Sequence, residues 1–514
     1  MMWRNLIVLI VLLLSFSCNP ISERKQPPPS LELLAATDLN LNGEQLANAY
    51  CATCHIKPEP DILDKSIWRE KVLPDMRKRM GLILAEDFGQ ALPEDTGVPP
   101  GVYSKKQFIR ATDWEKILTY YLDNAPESAL PQVKKPEPRK GIPGFAISRP
   151  DFHRIKGNLS TMLRVQPETG DLWLGDRLKM IYILDSKNGF LIKDSIPTEV
   201  APVDIVWSDD NSFELLTMGR MDPASDTLGK VSKFWNESGE WKSEELLNKL
   251  IRPVNLAVAD WNGDGEEDHV VSQFGDHFGK MSIYLSGATG ASELILRPEP
   301  GARRALAVDF DQDGDLDVLG LMAQAQEGVY VWLNEGDGQF KEKASLRFQP
   351  AFGASDFRFV DLNKDGHKDI IIVNGDNADL SQVLKNYHGV HIYLNDGKNE
   401  FEESWFYPMH GASGIEIADF DGDGDQDFFV LSFFPDGSQL PKQDLVFFQQ
   451  NEKRGYDPFV LVESFEAHWL TITSGDTDLD GDIDVVVGAF EFEDLYRGAK
   501  NTWTPFIYLE NEMN

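Results

Sequence analysis

The feature that most constrains this fold is a nine-residue acidic pattern, D-x-[DN]-x-D-G-x-x-D, which occurs five times in the second half of the chain. The copies start at Asp260, Asp309, Asp361, Asp419 and Asp476, so they are 49, 52, 58 and 57 residues apart. Alternate oxygens in so tight a loop turn inward on a hard cation, a glycine at position six permits the bend, and position seven can add its backbone carbonyl. Calcium fits that donor set. The candidate ligands are Asp260, Asn262, Asp264, Glu266 and Asp268 in the first loop, and Asp309, Asp311, Asp313, Asp315 and Asp317 in the second. Asp361, Asn363, Asp365, His367 and Asp369 follow in the third loop, then Asp419, Asp421, Asp423, Asp425 and Asp427 in the fourth. Asp476, Asp478, Asp480, Asp482 and Asp484 form the fifth, with position seven acting through its carbonyl throughout. So many carboxylates at close range would repel one another without a metal.

An EF-hand begins in the same way but needs a glutamate at position twelve and flanking helices. Here position twelve is Val271, Gly320, Ile372, Val430 or Val487. The last aspartate instead leads into β-branched runs such as Ile370-Ile371-Ile372-Val373, followed by aromatic strands and turns such as Tyr330-Val331-Trp332-Leu333-Asn334-Glu335-Gly336. A repeat of about 50 residues is the length of one four-stranded propeller blade. This array resembles the FG-GAP or VCBS repeat of integrin-like β-propellers. Residues 150–514 number 365, which over seven units is about 52 each, so seven blades are expected, with six or eight as alternatives. Leu172 to Leu184 and Val203 to Met218 have strand outlines without acidic loops, and would belong to two metal-free blades.

Upstream stands Cys51-Ala52-Thr53-Cys54-His55, the attachment signature of haem c, in which two thiols add to the porphyrin and the histidine ligates iron. A zinc half-site is the competing reading, but it needs about four ligands. The chain has three cysteines, the other being Cys18, and the next histidine after His55 is His153. Gly43 to Tyr50 and Asp113 to Asn124 carry helical apolar faces. The segment is similar to small cytochromes c, a resemblance that implies one haem c, an all-α fold over residues 41–130 and packing of those two helices on each other. Between residues 56 and 152 the methionines are Met76 and Met80, four apart in the helix expected from Pro74 to Gly81, so spacing does not choose between them as second axial ligand. The run Val72-Leu73-Pro74-Asp75-Met76 resembles the VLPxM segment of cytochromes found beside FG-GAP propellers, and that resemblance implies Met76, with Met80 as the alternative.

Arg4 and the apolar run Leu6 to Leu14 have the form of a signal core, and Cys18 stands where a lipoprotein signal is cleaved and acylated. Residues 1–18 are thus expected to be a lipoprotein-type signal, 19–40 a tether and 131–149 a linker, with the propeller over 150–514. The net charge of −35 excludes a nucleic-acid partner, while 42% hydrophobic residues exclude a disordered chain. The expected fold is a small all-α cytochrome c domain followed by an all-β propeller. The expected protein is exported and held on the membrane by an N-terminal lipid, facing the periplasm or cell surface. Its expected cofactors are one haem c and about five calcium ions. It would exchange electrons with a redox partner protein. Two other readings are a cell-surface binding protein for polysaccharide or protein with an auxiliary haem, and a propeller oxidoreductase passing electrons to the haem. Any recognition on the propeller is expected opposite the metal loops, near Arg220, His277, Asp376 and Glu491, for which ordinary polar loop is the competing reading.

Overall fold

The computed structural model describes residues 30–87, 98–150, 159–209, 211–288, 290–336, 338–376, 383–463, 465, 467–491 and 505–513. The expected signal segment with Cys18, and His153, lie outside the described residues. No helix among the described residues is long and apolar enough to cross a membrane.

Helices occupy Leu31–Ala36, Gly43–Tyr50, Lys65–Ile67, Leu73–Arg79 and Ala111–Asn124. The Gly43–Tyr50 helix is started by a capping box, in which Asn42 accepts from Gln45 N and Gln45 accepts from Asn42 N. It crosses Ala111–Asn124 so closely that a Cβ on Gly43 would stand 2.3 Å from Lys116 O. Tyr50 and Asp113 bond across the crossing at 3.3 Å. Leu46, Tyr50, Trp68, Leu73, Trp114, Ile117 and Tyr121 form the shared core.

One local expectation is corrected and another is extended. The tether over 19–40 ends early, because Ser30 caps Leu31–Ala36 and Leu34 is buried in the helical core. Pro74 stands in the first turn of Leu73–Arg79, as expected, but that helix has a lead-in that the sequence does not announce. Backbone is helical continuously over 65–79, and a π-turn at Trp68–Val72, with Leu73 N bonded to Trp68 O, widens the chain just ahead of the proline. That widening relieves the clash a proline ring makes with the preceding turn.

From residue 139 onward the structure is strands, arranged in seven sheets among the described residues. Blades span 160–197, 202–250, 253–297, 302–347, 354–408, 412–460 and 469–511, each running in chain order from the innermost strand outward. The seventh has three strands of its own, and its outermost strand is Phe145–Ser148, antiparallel to Phe506–Asn511. Arg139–Lys140 adds parallel to the edge of the sixth blade. Residues 131–149 are therefore not simply a linker: they supply the outermost strand of the seventh blade and an edge strand of the sixth.

Charged side chains on the innermost strands tie successive blades. Arg164 of blade one bonds Asp204 of blade two at 2.6 Å, and Asp204 also accepts from Asn255 of blade three at 3.0 Å. Arg304 of blade four meets Asp356 of blade five at 2.5 Å. Arg358 joins Asp356 at 3.0 Å and Glu416 of blade six at 2.9 Å, while Ser474 of blade seven donates to Glu416 at 3.0 Å. Three arginines against three acids leave this ring balanced, so few charges in it lack a countercharge.

The helical unit sits on the face opposite the acidic loops. Glu59 N donates to Gln349 at 2.8 Å, Gln326 donates to the carbonyl of Cys54, and Val383 packs against the helical core.

Phe145 meets Phe429, Phe447 and Phe420 edge-on, with ring centroids 5.2, 5.8 and 6.0 Å away. Phe145→Ala is expected to cost the propeller about 2 kcal/mol in denaturant unfolding. Leu440→Ala, at a side chain 84% exposed, should change it by less than about 0.5 kcal/mol.

Candidate functional site: the acidic loops and the Cys-x-x-Cys-His turn

All five acidic loops take one conformation, built by their own side chains. The glycine at position six has positive φ in each, from +87° at Gly265 and +88° at Gly366 and Gly424 to +101° at Gly314 and +105° at Gly481. Its N–H donates to the first aspartate, at 2.9 Å for Asp260, Asp361 and Asp419, 3.1 Å for Asp476 and 3.2 Å for Asp309. The N–H of position seven donates to position five, at 2.8 to 3.1 Å.

Position nine does something the motif does not announce. Its carboxylate is buried in every loop and, in four of the five, clamps two amides. One oxygen of Asp317 accepts from Phe310 N, at position two of its loop, at 2.8 Å, and the other from Asn334 N, at the end of the third strand, at 2.7 Å. Asp268, Asp369 and Asp484 repeat this with Trp261 and Ser286, Leu362 and Asn395, and Thr477 and Asn511. Asp427 keeps the bond from Gln450 N at 2.7 Å, but its Oδ2 is buried without a hydrogen-bond partner.

Carboxylate oxygens of Asp309, Asp311 and Asp317 lie within 4.8 Å of one another, as do those of Asp419, Asp421 and Asp423 and those of Asp476, Asp478 and Asp480. In the loops at Asp260 and Asp361 an asparagine replaces the second acid, so less charge is gathered there. Burial, opposed by the bond from Gln450 and reinforced by Asp421 and Asp423, pushes Asp427 up to about 7. Burial and the neighbours Asp480 and Asp484 push Asp482 up to about 7, and neither of its oxygens makes a hydrogen bond. Buried oxygens with no donor, inside a cluster of like charge, fit a bound divalent ion.

The Cys-x-x-Cys-His turn is a single 3-10 turn, Cys51–Thr53, at the end of the Gly43–Tyr50 helix. Both thiols are free. Thr53 Oγ1 donates to Tyr50 O at 2.7 Å and fixes the turn. His55 Nδ1 lies 2.8 Å from Ile56 O, and Nε2 has no partner among the described residues. A nitrogen anchored to a carbonyl orients the ring and leaves the other available to a metal. Burial first, with the charge of Arg79, lowers the His55 pKa, so the imidazole is held neutral, as a ligand must be. Of the two methionines, Met80 packs against the helical core, whereas Met76 is half-buried and lies outside it. These residues fit a covalently held haem.

The positions expected for recognition lie on the face that the helical unit partly covers. His277 N donates to Ser225, Arg220 pairs with Asp226 at 3.3 Å, Asp376 N bonds Gly353 O, and Glu491 pairs with His468 at 3.0 Å. The residue beside His277, Asp276, acts electrostatically on Arg79 and Tyr103 of the helical unit.

A carboxyl whose pKa is raised in the folded protein binds a proton there that the unfolded chain has lost, so stability is gained as pH falls through that range. For Asp427 and Asp482 the range runs from about 7 down to the ordinary 3.8. Glu327, buried and pushed up to about 8, has the same sign. Without divalent ions, the melting temperature is therefore expected to fall as pH is raised from about 5 to about 8. Asp427→Asn should flatten that slope, and an unchanged slope would show that Asp427 does not titrate there.

Residues 309–372 and 373–430 match the FG-GAP-like repeat. A solved assembly of S. cerevisiae Dbp5 bound to Nup159, Gle1, IP6 and ADP contains a chain that aligns with 74% of this one and 98% of its own length. The identity is 9% and the TM-score 0.41, too distant to bear on function. No curated protein matches the chain. The chain carries FG-GAP-like repeats, set in a β-propeller of seven blades.

Proposed function

We propose that this chain is an exported, lipid-anchored c-type haem protein that transfers single electrons, with the propeller as its calcium-stabilised docking module. The observation that carries the reading is the Cys51-to-His55 turn, with two free thiols and a histidine whose Nδ1 is anchored and whose Nε2 is open. A bound haem supplies a one-electron couple, and a thioether ligand raises its potential. Cys51 and Cys54 would hold the porphyrin covalently, His55 Nε2 one face of the iron and Met76 the other. Met80, already packed in the core, would remain a filler. Each acidic loop would hold one calcium ion through positions one, three, five and nine and the carbonyl of position seven, and Cys18 would carry the lipid.

The FG-GAP-like repeats point to binding or docking, and they favour a second reading in which the propeller binds a surface ligand and the haem is auxiliary. A chain whose haem is reduced by no partner, but which is retained on a polysaccharide or protein matrix, would select that reading.

Produced with haem-attachment machinery, the protein should keep its colour after denaturation, and Cys51→Ala with Cys54→Ala should be colourless. Met76→Ala should lower the reduction potential and give a high-spin spectrum, while Met80→Ala keeps the native spectrum; the reverse result would assign Met80. Calcium at about a hundredfold its dissociation constant should add about 3 kcal/mol per loop, lost again on chelation. A colourless wild type with a melting temperature indifferent to chelator would overturn the proposal.

A further inference from the structure

We infer that the five acidic loops take up cations as a coupled set, with Asn334, Asn399, Gln450 and Asn511 as the positioning residues between them. This rests on the calcium reading above and deepens it.

The second residue of the first, second, third and fifth loops gives its N–H to its own position-nine aspartate, and in all five loops its carbonyl accepts from the next blade of the ring. Trp261 O accepts from Asn334 Nδ2 at 2.7 Å. The backbone N–H of the same Asn334 is held by Asp317, position nine of the following loop. Phe310 O accepts from Asn399 Nδ2 at 2.8 Å, and Asn399 is bonded to Asn395, whose N–H Asp369 holds. Leu362 O accepts from Gln450 Nε2 at 3.4 Å, and Gln450 N is held by Asp427. Phe420 O accepts from Asn511 Nδ2 at 2.8 Å, and Asn511 N is held by Asp484. After the fifth loop the relay meets blade one, which has no acidic loop: Thr477 O accepts from Ser186 Oγ at 2.6 Å.

A path thus runs from loop to amide to the position-nine aspartate of the next loop four times over, and in the second, third and fifth loops that aspartate also holds the N–H of the second residue. A cation that orders one loop fixes its second residue, and with it the strand end that the next aspartate clamps. The neighbour then has less freedom to lose when it binds, which is positive coupling, and coupling of this kind acts equally in both directions.

The test is a calorimetric calcium titration of the full chain. Disabling the first loop with Asp260→Asn and Asp264→Asn should remove one equivalent and also weaken the remaining sites by about fivefold or more, the lower end of usual coupling. Asn334→Leu leaves every ligand in place and removes the side-chain donor between the first two loops. It should lower the Hill coefficient and abolish the extra weakening caused by the loop variant. Asn399→Leu is the parallel case between the second and third loops, should Asn334→Leu fail to fold. Remaining sites of unchanged affinity after the first loop is disabled would overturn the coupling and leave the calcium reading standing. A wild-type chain that takes up no calcium would overturn both.

Discussion

The propeller depends on a buried aspartate in five of its blades. A carboxylate removed from water is costly unless its oxygens are paired, and in four of the five the pairing partners are two backbone amides. One amide belongs to the start of the acidic loop and the other to the far end of the third strand. The same group therefore pins the loop and aligns the blade. The remaining acids of the loop can be gathered at close range because the turn is held by these bonds, and their crowding is what makes a cation the natural occupant.

The two halves of the molecule use opposite ends of the same strands. Acidic loops open at one face, and the strands leaving them run to the face on which the helical unit rests. There Gln326 is itself held by Arg347 at 2.9 Å while it bonds the Cys54 carbonyl, so blade four fixes the backbone of the Cys-x-x-Cys-His turn. Through the balanced ring of arginines and acids on the innermost strands, the ring of blades acts as a stiff support for that turn.

Much of this was legible in the sequence because the relevant chemistry is local. The repeat spacing and chain length give seven blades, the two blades without acids included, and apolar spacing locates the Gly43–Tyr50 and Ala111–Asn124 helices closely. What was not legible is non-local. Nothing in Phe145–Ser148 distinguishes a strand of the seventh blade from a linker, since its partner lies at the other end of the chain. Leu31–Ala36 looked like tether because only burial of Leu34 against other helices makes it worthwhile. The asparagines of Leu333-Asn334 and Leu394-Asn395 stand in a visible pattern, yet only Asn334 reaches the neighbouring blade, while Asn395 bonds Lys368 O in its own blade and Asn399 makes the link to Phe310 O.

The borrowed strand of the last blade also dictates an order of events during folding. The helical unit needs only contacts within about a hundred residues and can form early. The ring cannot shut until Phe506–Asn511 has been synthesised and finds Phe145–Ser148, more than 350 residues behind it. Until then the edge of blade seven stands open with its amides bare, the condition in which an unfinished propeller is most exposed to pairing with another chain.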